Sequence, residues 1–187
     1  MQKGIIFYTK PFSEKDLLIK LVNQDGEIVS GFVKYGLSSK NNSIYQISNL
    51  ISYERVGRED ALGSIKGSCL KSFSSIVSTN RIANFACISL CGVLNCFFRN
   101  ANKCDIDGIF DKIVNFLQLC CISNDHDVLI SGYLDLEKEV IFNNGTIDEE
   151  DNCGNNYIYL QNIFSSYSIN MPVCREMLET LILKAFT

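Results

Sequence analysis

Three short apolar runs at the start of the chain admit few folds. Residues 4–8, 17–23 and 27–33 are dense in Ile, Leu, Val and Phe, and each is short enough to be one strand. Turn signals separate them. Thr9-Lys10-Pro11-Phe12-Ser13 follows the first run, and Asp25-Gly26 joins the second to the third as a hairpin turn. The third run opens into Lys34-Tyr35-Gly36-Leu37-Ser38-Ser39-Lys40, and no acidic residue occurs from Leu37 to Asn49. Tyr45 to Glu54 reads as a fourth strand with partial alternation. Gly63 to Phe73 contains a fifth, with Gly63 and Gly67 permitting bends or close backbone approach. Five short strands and one long loop fit the five-stranded OB-fold barrel. An SH3-like small barrel satisfies the same pattern.

The periodicity changes near Thr79. Asn80 is placed to cap a helix with Ile82, Phe85, Ala86, Leu90, Val93, Leu94 and Phe97 on one face. Asp105 is placed to cap a second, with Ile106, Ile109, Phe110, Ile113, Leu117 and Cys120 aligned. Ser123 to His126 reads as a turn. A third helix from Asp127 turns Leu129, Tyr133, Leu136 and Val140 inward and ends at Asn143-Asn144-Gly145. Residues 146–156 are polar and acidic, Tyr157–Leu160 suits a short strand, and Pro172 suits the first turn of a last helix with Val173, Met177 and Leu181 on one face. The expected class is therefore α+β. An OB-fold barrel over residues 1–75 precedes a helical domain over 80–187, with a loop and strand insertion around 146–165.

Charge divides along the same line. Residues 1–71 hold 10 Lys/Arg against 7 Asp/Glu, and the remainder holds 7 against 14. An acidic body repels phosphate, whereas a basic front binds it locally. Lys10, Lys15, Lys34, Lys40, Arg55, Arg58, Lys66 and Lys71 all fall in the barrel segment, interleaved with Tyr8, Phe12, Tyr35 and Tyr45. Cations that track phosphates beside aromatics that stack on bases are the chemistry of single-strand binding. The alternative is that Tyr8 and Tyr45 pack in the barrel while the lysines only solubilise it.

No catalytic constellation is present, so no enzyme activity and no cofactor are expected. His126 stands in a polar turn between Asp125 and Asp127, and the glycine patterns that cradle nucleotides are absent. Asp148 to Asp151 reads as a solvated acidic loop, because four consecutive acids cannot all face one ion. The nine cysteines include no Cys-x-x-Cys pair, and several share helix faces with Leu, Val and Phe, where a thiol acts as a small apolar residue. No structural zinc is expected. No secretory signal is expected at the start of the chain. Ile82–Phe98, the longest apolar stretch, is interrupted by Asn84, Ser89, Gly92 and Asn95, so no membrane span and a cytoplasmic location are expected.

The ensemble of motifs resembles the bacterial DNA repair protein RecO family. Gly4-Ile5-Ile6 matches its opening strand, and Glu14-Lys15-Asp16-Leu17-Leu18 matches its Glu-x-Asp-Leu-Leu motif. Gly26 and the loop from Lys34 to Lys40 match the features that follow. The resemblance is tightest over roughly the first 70 residues and runs more loosely to about Asn152. It implies a shortened member of the family. It further implies binding of single- and double-stranded DNA, strand annealing and no bond-breaking step. The implied partners are RecR and the acidic, apolar C-terminal tail of single-strand DNA-binding protein, in the service of loading RecA at gaps. On this reading Lys10, Lys15, Lys34, Tyr35, Lys40, Arg55 and Arg58 meet DNA, and Arg99 and Lys103 in the helical region meet the partner tail. The rival, suggested by a loop with only Lys34 and Lys40 and by the acidic second half, is an OB-fold protein adaptor that has lost most DNA binding.

Overall fold

The chain alternates inward and outward residues until the sheet closes on itself. The computed structural model describes residues 1–58, 62–98, 101–143 and 173–185. Strands β1 (Gln2–Pro11), β2 (Leu17–Asn23), β3 (Ile28–Val33), β4 (Leu50–Val56) and β5 (Gly63–Lys71) form a closed barrel in the order β1-β2-β3-β5-β4. All pairings are antiparallel except β3 with β5, where Gly31 meets Gly63 and Phe32 meets Ser64. A Cβ on Gly31 would lie 2.7 Å from the Gly63 carbonyl oxygen, so this parallel contact requires a glycine. Ile6, Ile19, Leu21, Val33, Ile51, Tyr53 and Ile65 fill the interior. A closed five-stranded barrel followed by helices is the OB-fold arrangement expected from the strand pattern.

The β2–β3 hairpin turns where Asp25-Gly26 predicts. Gly26 has φ 76°, and the Asn23 side-chain oxygen accepts from the Asp25 and Glu27 amides at 2.9 and 2.8 Å. The fourth strand begins later than the alternation suggests. Residues 45–49 belong to a run of tight turns, and Tyr45 is buried as a plug rather than placed in a strand. Its hydroxyl donates to the Gly67 carbonyl at 3.1 Å and accepts from the Gly67 amide at 2.9 Å. Burial raises the Tyr45 pKa above the ordinary tyrosine value. Phe73 does not extend β5. It opens a short helix, α1 (Phe73–Val77), which the apolar pattern alone does not reveal.

Helix α2 (Arg81–Phe97) starts as its sequence dictates, with the Asn80 side chain accepting from the Ile82 and Ala83 amides. Helix α3 (Ile109–Ile122) begins four residues after Asp105, at the left-handed Gly108, so Asp105 is not its cap. The expected inward set of Ile106, Ile109, Phe110, Ile113, Leu117 and Cys120 is nevertheless buried. Helix α4 (His126–Asn143) is capped by Asp125, which accepts from the Asp127 and Val128 amides, and it buries Leu129, Tyr133, Leu136 and Val140.

Helix α5 (Val173–Ala185) departs most from its apolar spacing. Val173 and Met177 are exposed, whereas Arg175, Leu178 and Glu179 are buried. Arg175 turns the helix. Its guanidinium donates to Glu137 on α4 at 2.5 and 2.9 Å and to Glu179 at 3.2 Å, and the Tyr133 hydroxyl donates to Glu137 at 2.6 Å. A buried carboxylate with a bidentate arginine outweighs the apolar preference of two side chains at the rim. The expected strand at 157–160, the acidic loop, Pro172 and Cys153 lie outside the described residues.

One core joins barrel and helices. Ile5, Phe7, Val22 and Ile28, on the outside of the barrel, pack with residues of all five helices. The α2–α3 linker also adds a bridge to the hairpin: the Cys104 amide donates to the Gly26 carbonyl and the Ile28 amide to the Asn102 carbonyl, both at 2.8 Å.

Candidate nucleic-acid interface

The helices cover only part of the outer barrel surface. Across β1, β2 and β3 the residues stack in rows. Ile5, Val22 and Ile28 form the row buried under the helices. Tyr8, Lys20 and Ser30 form the next, and Lys10, Leu18 and Phe32 the one beyond. The last row continues through Ser64 on β5 to Val56 on β4, which is 70% exposed. A register shift in β1 between Ile6 and Tyr8 creates this face. It places Phe7 and Tyr8 both outside the barrel, so Tyr8 stands opposite Lys20. The Lys20 Nζ sits 5.9 Å from the Tyr8 ring centroid.

The β1–β2 loop closes one end of this face. Phe12 is 61% exposed and rests on Phe32, with ring centroids 4.3 Å apart. The backbone amide of Tyr35 donates to Asp16 Oδ1 at 2.9 Å, and the Leu37 amide donates to the Lys15 carbonyl at 3.0 Å. These two bonds fasten the end of β3 to the β1–β2 loop. They frame a groove of about 440 Å³ lined by Ser13, Glu14, Lys15, Asp16, Lys34 and Tyr35. Tyr35 is 58% exposed beside it. Exposed aromatic rings at one end, cations along two rows and a β4–β5 connection at the other end make a track for a strand with unstacked bases.

The residues singled out in the sequence divide between this track and other places. Lys10, Lys15, Lys34 and Tyr35 come together on it. Arg58 is exposed on the β4–β5 connection just beyond Val56. Arg55 lies on the inward side of β4 with Ile51 and Tyr53, and its guanidinium donates to the Arg58 carbonyl at 3.0 Å, bracing that connection. Lys40 is exposed on the turns between β3 and β4, outside the aligned rows. Tyr45 is removed from any stacking role by burial. Lys103 is exposed in the α2–α3 linker and its backbone bridges to Glu27; Arg99 lies outside the described residues. Phe98 is buried in the helical core. Lys20 and Phe32 are the face residues that sequence reasoning missed. Strict alternation through β2 and β3, counted from the buried Ile19 and Val33, would have found both.

Other chemistry is sparse. Among the described residues no group of three His, Cys, Asp or Glu side chains is placed to hold a metal ion. Cys87 and Cys120 approach across α2 and α3, and that contact and burial push the Cys87 thiol well above its ordinary pKa. Burial pushes Cys91 up to about 11. Such thiols are poor nucleophiles at neutral pH. Among the described residues no helix is long and apolar enough to cross a membrane.

No family model matches the chain. The DNA repair protein RecO of Orientia tsutsugamushi strain Boryong is 28% identical over 164 residues, which cover 84% of this chain and 66% of that relative. The match therefore extends well past the barrel into the helices. This chain is RecO-like. The protein of the same name from strain Ikeda is 32% identical over 80 residues, or 42% of this chain and 33% of that relative. The RecO-like chain thus spans just under two thirds of the length of the first relative.

Proposed function

We propose that the chain is a DNA repair mediator of the RecO type that holds a DNA strand on the outer face of β1, β2 and β3. The observation that carries this reading is the convergence of Lys10, Lys20 and Lys34 with the exposed Phe12 and Tyr35, and with the half-buried Phe32 against which Phe12 rests, on the part of the barrel surface that the helices leave open. Lysines supply point charges for phosphates, and the exposed rings supply stacking platforms for unpaired bases. Single- and double-stranded DNA are the proposed ligands. A strand held mainly by its backbone keeps base edges free to pair with a complement, so annealing follows from the same face without any bond-breaking group. The further steps, cooperation with RecR, capture of the single-strand DNA-binding protein tail near Lys103 and loading of a recombinase, extend the name of the matched relatives to this chain.

Annealing of two complementary oligonucleotides, followed by fluorescence energy transfer, tests the proposal. The wild-type chain accelerates duplex formation, and a Lys20→Glu, Lys34→Glu variant does not. Equal rates with and without wild-type protein would refute a mediator role. The adaptor reading draws on the position of Lys40 away from the face and on the net charge of −4. It requires that the wild-type chain bind a protein tail but no DNA.

A further inference from the structure

A second cleft opens on the other side of the junction between the β1–β2 loop and the end of β3. It has a volume of about 410 Å³ and lies between the barrel mouth, the β3–β4 turns, α1 and α2. Its walls combine the apolar Pro11, Leu37 and Ile88 with the amides of Asn42, Gln46 and Asn84, and no Asp, Glu, Lys or Arg lines it. No hydrogen bond among the described residues engages the side-chain amides of Asn42 and Asn84. Gln46 uses only its oxygen, accepting from Ser74.

This lining has a chemical meaning. An anion finds no cation in the cleft, and a cation finds no carboxylate. A purely apolar ligand offers no partner to the amides of Asn42 and Asn84 or to the Gln46 NH2 group. An apolar lining set with uncharged donors and acceptors suits a neutral heteroaromatic ring that offers both kinds of group at its edge, which describes a nucleobase. The volume is within the range of about 300–1,000 Å³ typical of small-ligand pockets. The cleft is also adjacent to the proposed strand track. Only the Lys15–Leu37 backbone bond and the residues around it separate it from the groove lined by Lys15, Lys34 and Tyr35. Thr9 and Pro11 reach the cleft from the inward side of β1, while Lys10 between them faces the track.

We propose that this cleft receives one unstacked base of the strand held on the barrel face. The inference rests on the DNA-binding reading and goes beyond it by assigning a base site to residues of the β3–β4 turns and α2. Base capture there would hold the strand in one register at the loop junction, while the lysine rows hold the backbone.

An oligonucleotide carrying 2-aminopurine tests it, because that base is dim when stacked on its neighbours and brightens when drawn out of the stack. Binding is followed in parallel by anisotropy of an end label. The wild-type protein brightens the probe on binding. Asn84→Phe and Asn42→Phe, which fill the cleft from two walls, abolish the brightening and weaken binding by about tenfold, the loss of one base contact. Asn42 is exposed in a loop, so at least that variant folds, as checked by its ellipticity and melting. Binding without brightening, or brightening that persists in a folded variant, overturns the base site and leaves the barrel-face reading intact. Absence of any oligonucleotide binding to the wild type overturns both.

Discussion

The Tyr35 amide donates to Asp16 Oδ1 at 2.9 Å and so ties the end of β3 to the β1–β2 loop. Tyr35 has φ 56°, a left-handed conformation uncommon for a residue with a side chain. The carboxylate holds it there and presents the exposed ring beside Lys34. Asp16 in the Glu14-Lys15-Asp16-Leu17-Leu18 segment therefore shapes the proposed binding face through the backbone rather than by contact with a phosphate.

Asp16→Ala should weaken single-strand binding severalfold, although it removes a negative charge from the face. Simple charge counting gives the opposite sign. The bond is exposed, so the loss of stability should be small, about 0.5–1.5 kcal/mol. Anisotropy titration and thermal denaturation of the variant check both expectations. Tighter binding would show that Asp16 acts only as a charge.

Arg175→Met should be among the most damaging single changes in the helices. It strips the bidentate cation from a fully buried Glu137 and costs about 3–5 kcal/mol. Replacing Glu137 by Leu in the same variant should recover much of that loss, since a well-packed apolar pair avoids the desolvation of both ions. Urea denaturation of the single and double variants measures the difference. A double variant no more stable than the single would contradict this account of α5.

Burial raises the Glu179 pKa above its ordinary carboxyl value of 4.5, and Arg175 only partly opposes this. The native state then keeps the Glu179 proton to a higher pH than the unfolded chain does. Stability should fall as pH rises from about 4.5 through the raised native value, and Glu179→Gln should remove that fall. Denaturation midpoints of wild type and variant across the acid range test the sign.

The parts of this fold legible in the sequence are those where local chemistry and packing agree. Asp25-Gly26 needs only its own backbone to turn, and Asn80 needs only the next three amides to cap α2. Three features require knowledge of partners distant in sequence. Tyr45 alternates like a strand residue but is claimed by Gly67. Asp105 resembles a cap, yet the linker beside it is committed to the β2–β3 hairpin. Val173 and Met177 lose the inward face to an arginine whose acid lies on α4. The proposed binding face is half legible: Lys10, Lys15, Lys34 and Tyr35 stand out by composition. Alternation turns Lys20 and Phe32 outward, and the shift in β1 with the register of β2 and β3 then brings them into line with Tyr8 and Lys10.

The most direct test of the central claim is the salt dependence of single-stranded oligonucleotide binding by wild type and a Lys20→Ala, Lys34→Ala variant. Each lysine that neutralises a phosphate of a single strand contributes about 0.7 to the slope of log affinity against log salt. The variant should bind more weakly, with a slope shallower by about 1.4. A folded variant with the affinity and slope of the wild type would contradict it and remove the outer face of β1, β2 and β3 from the DNA site.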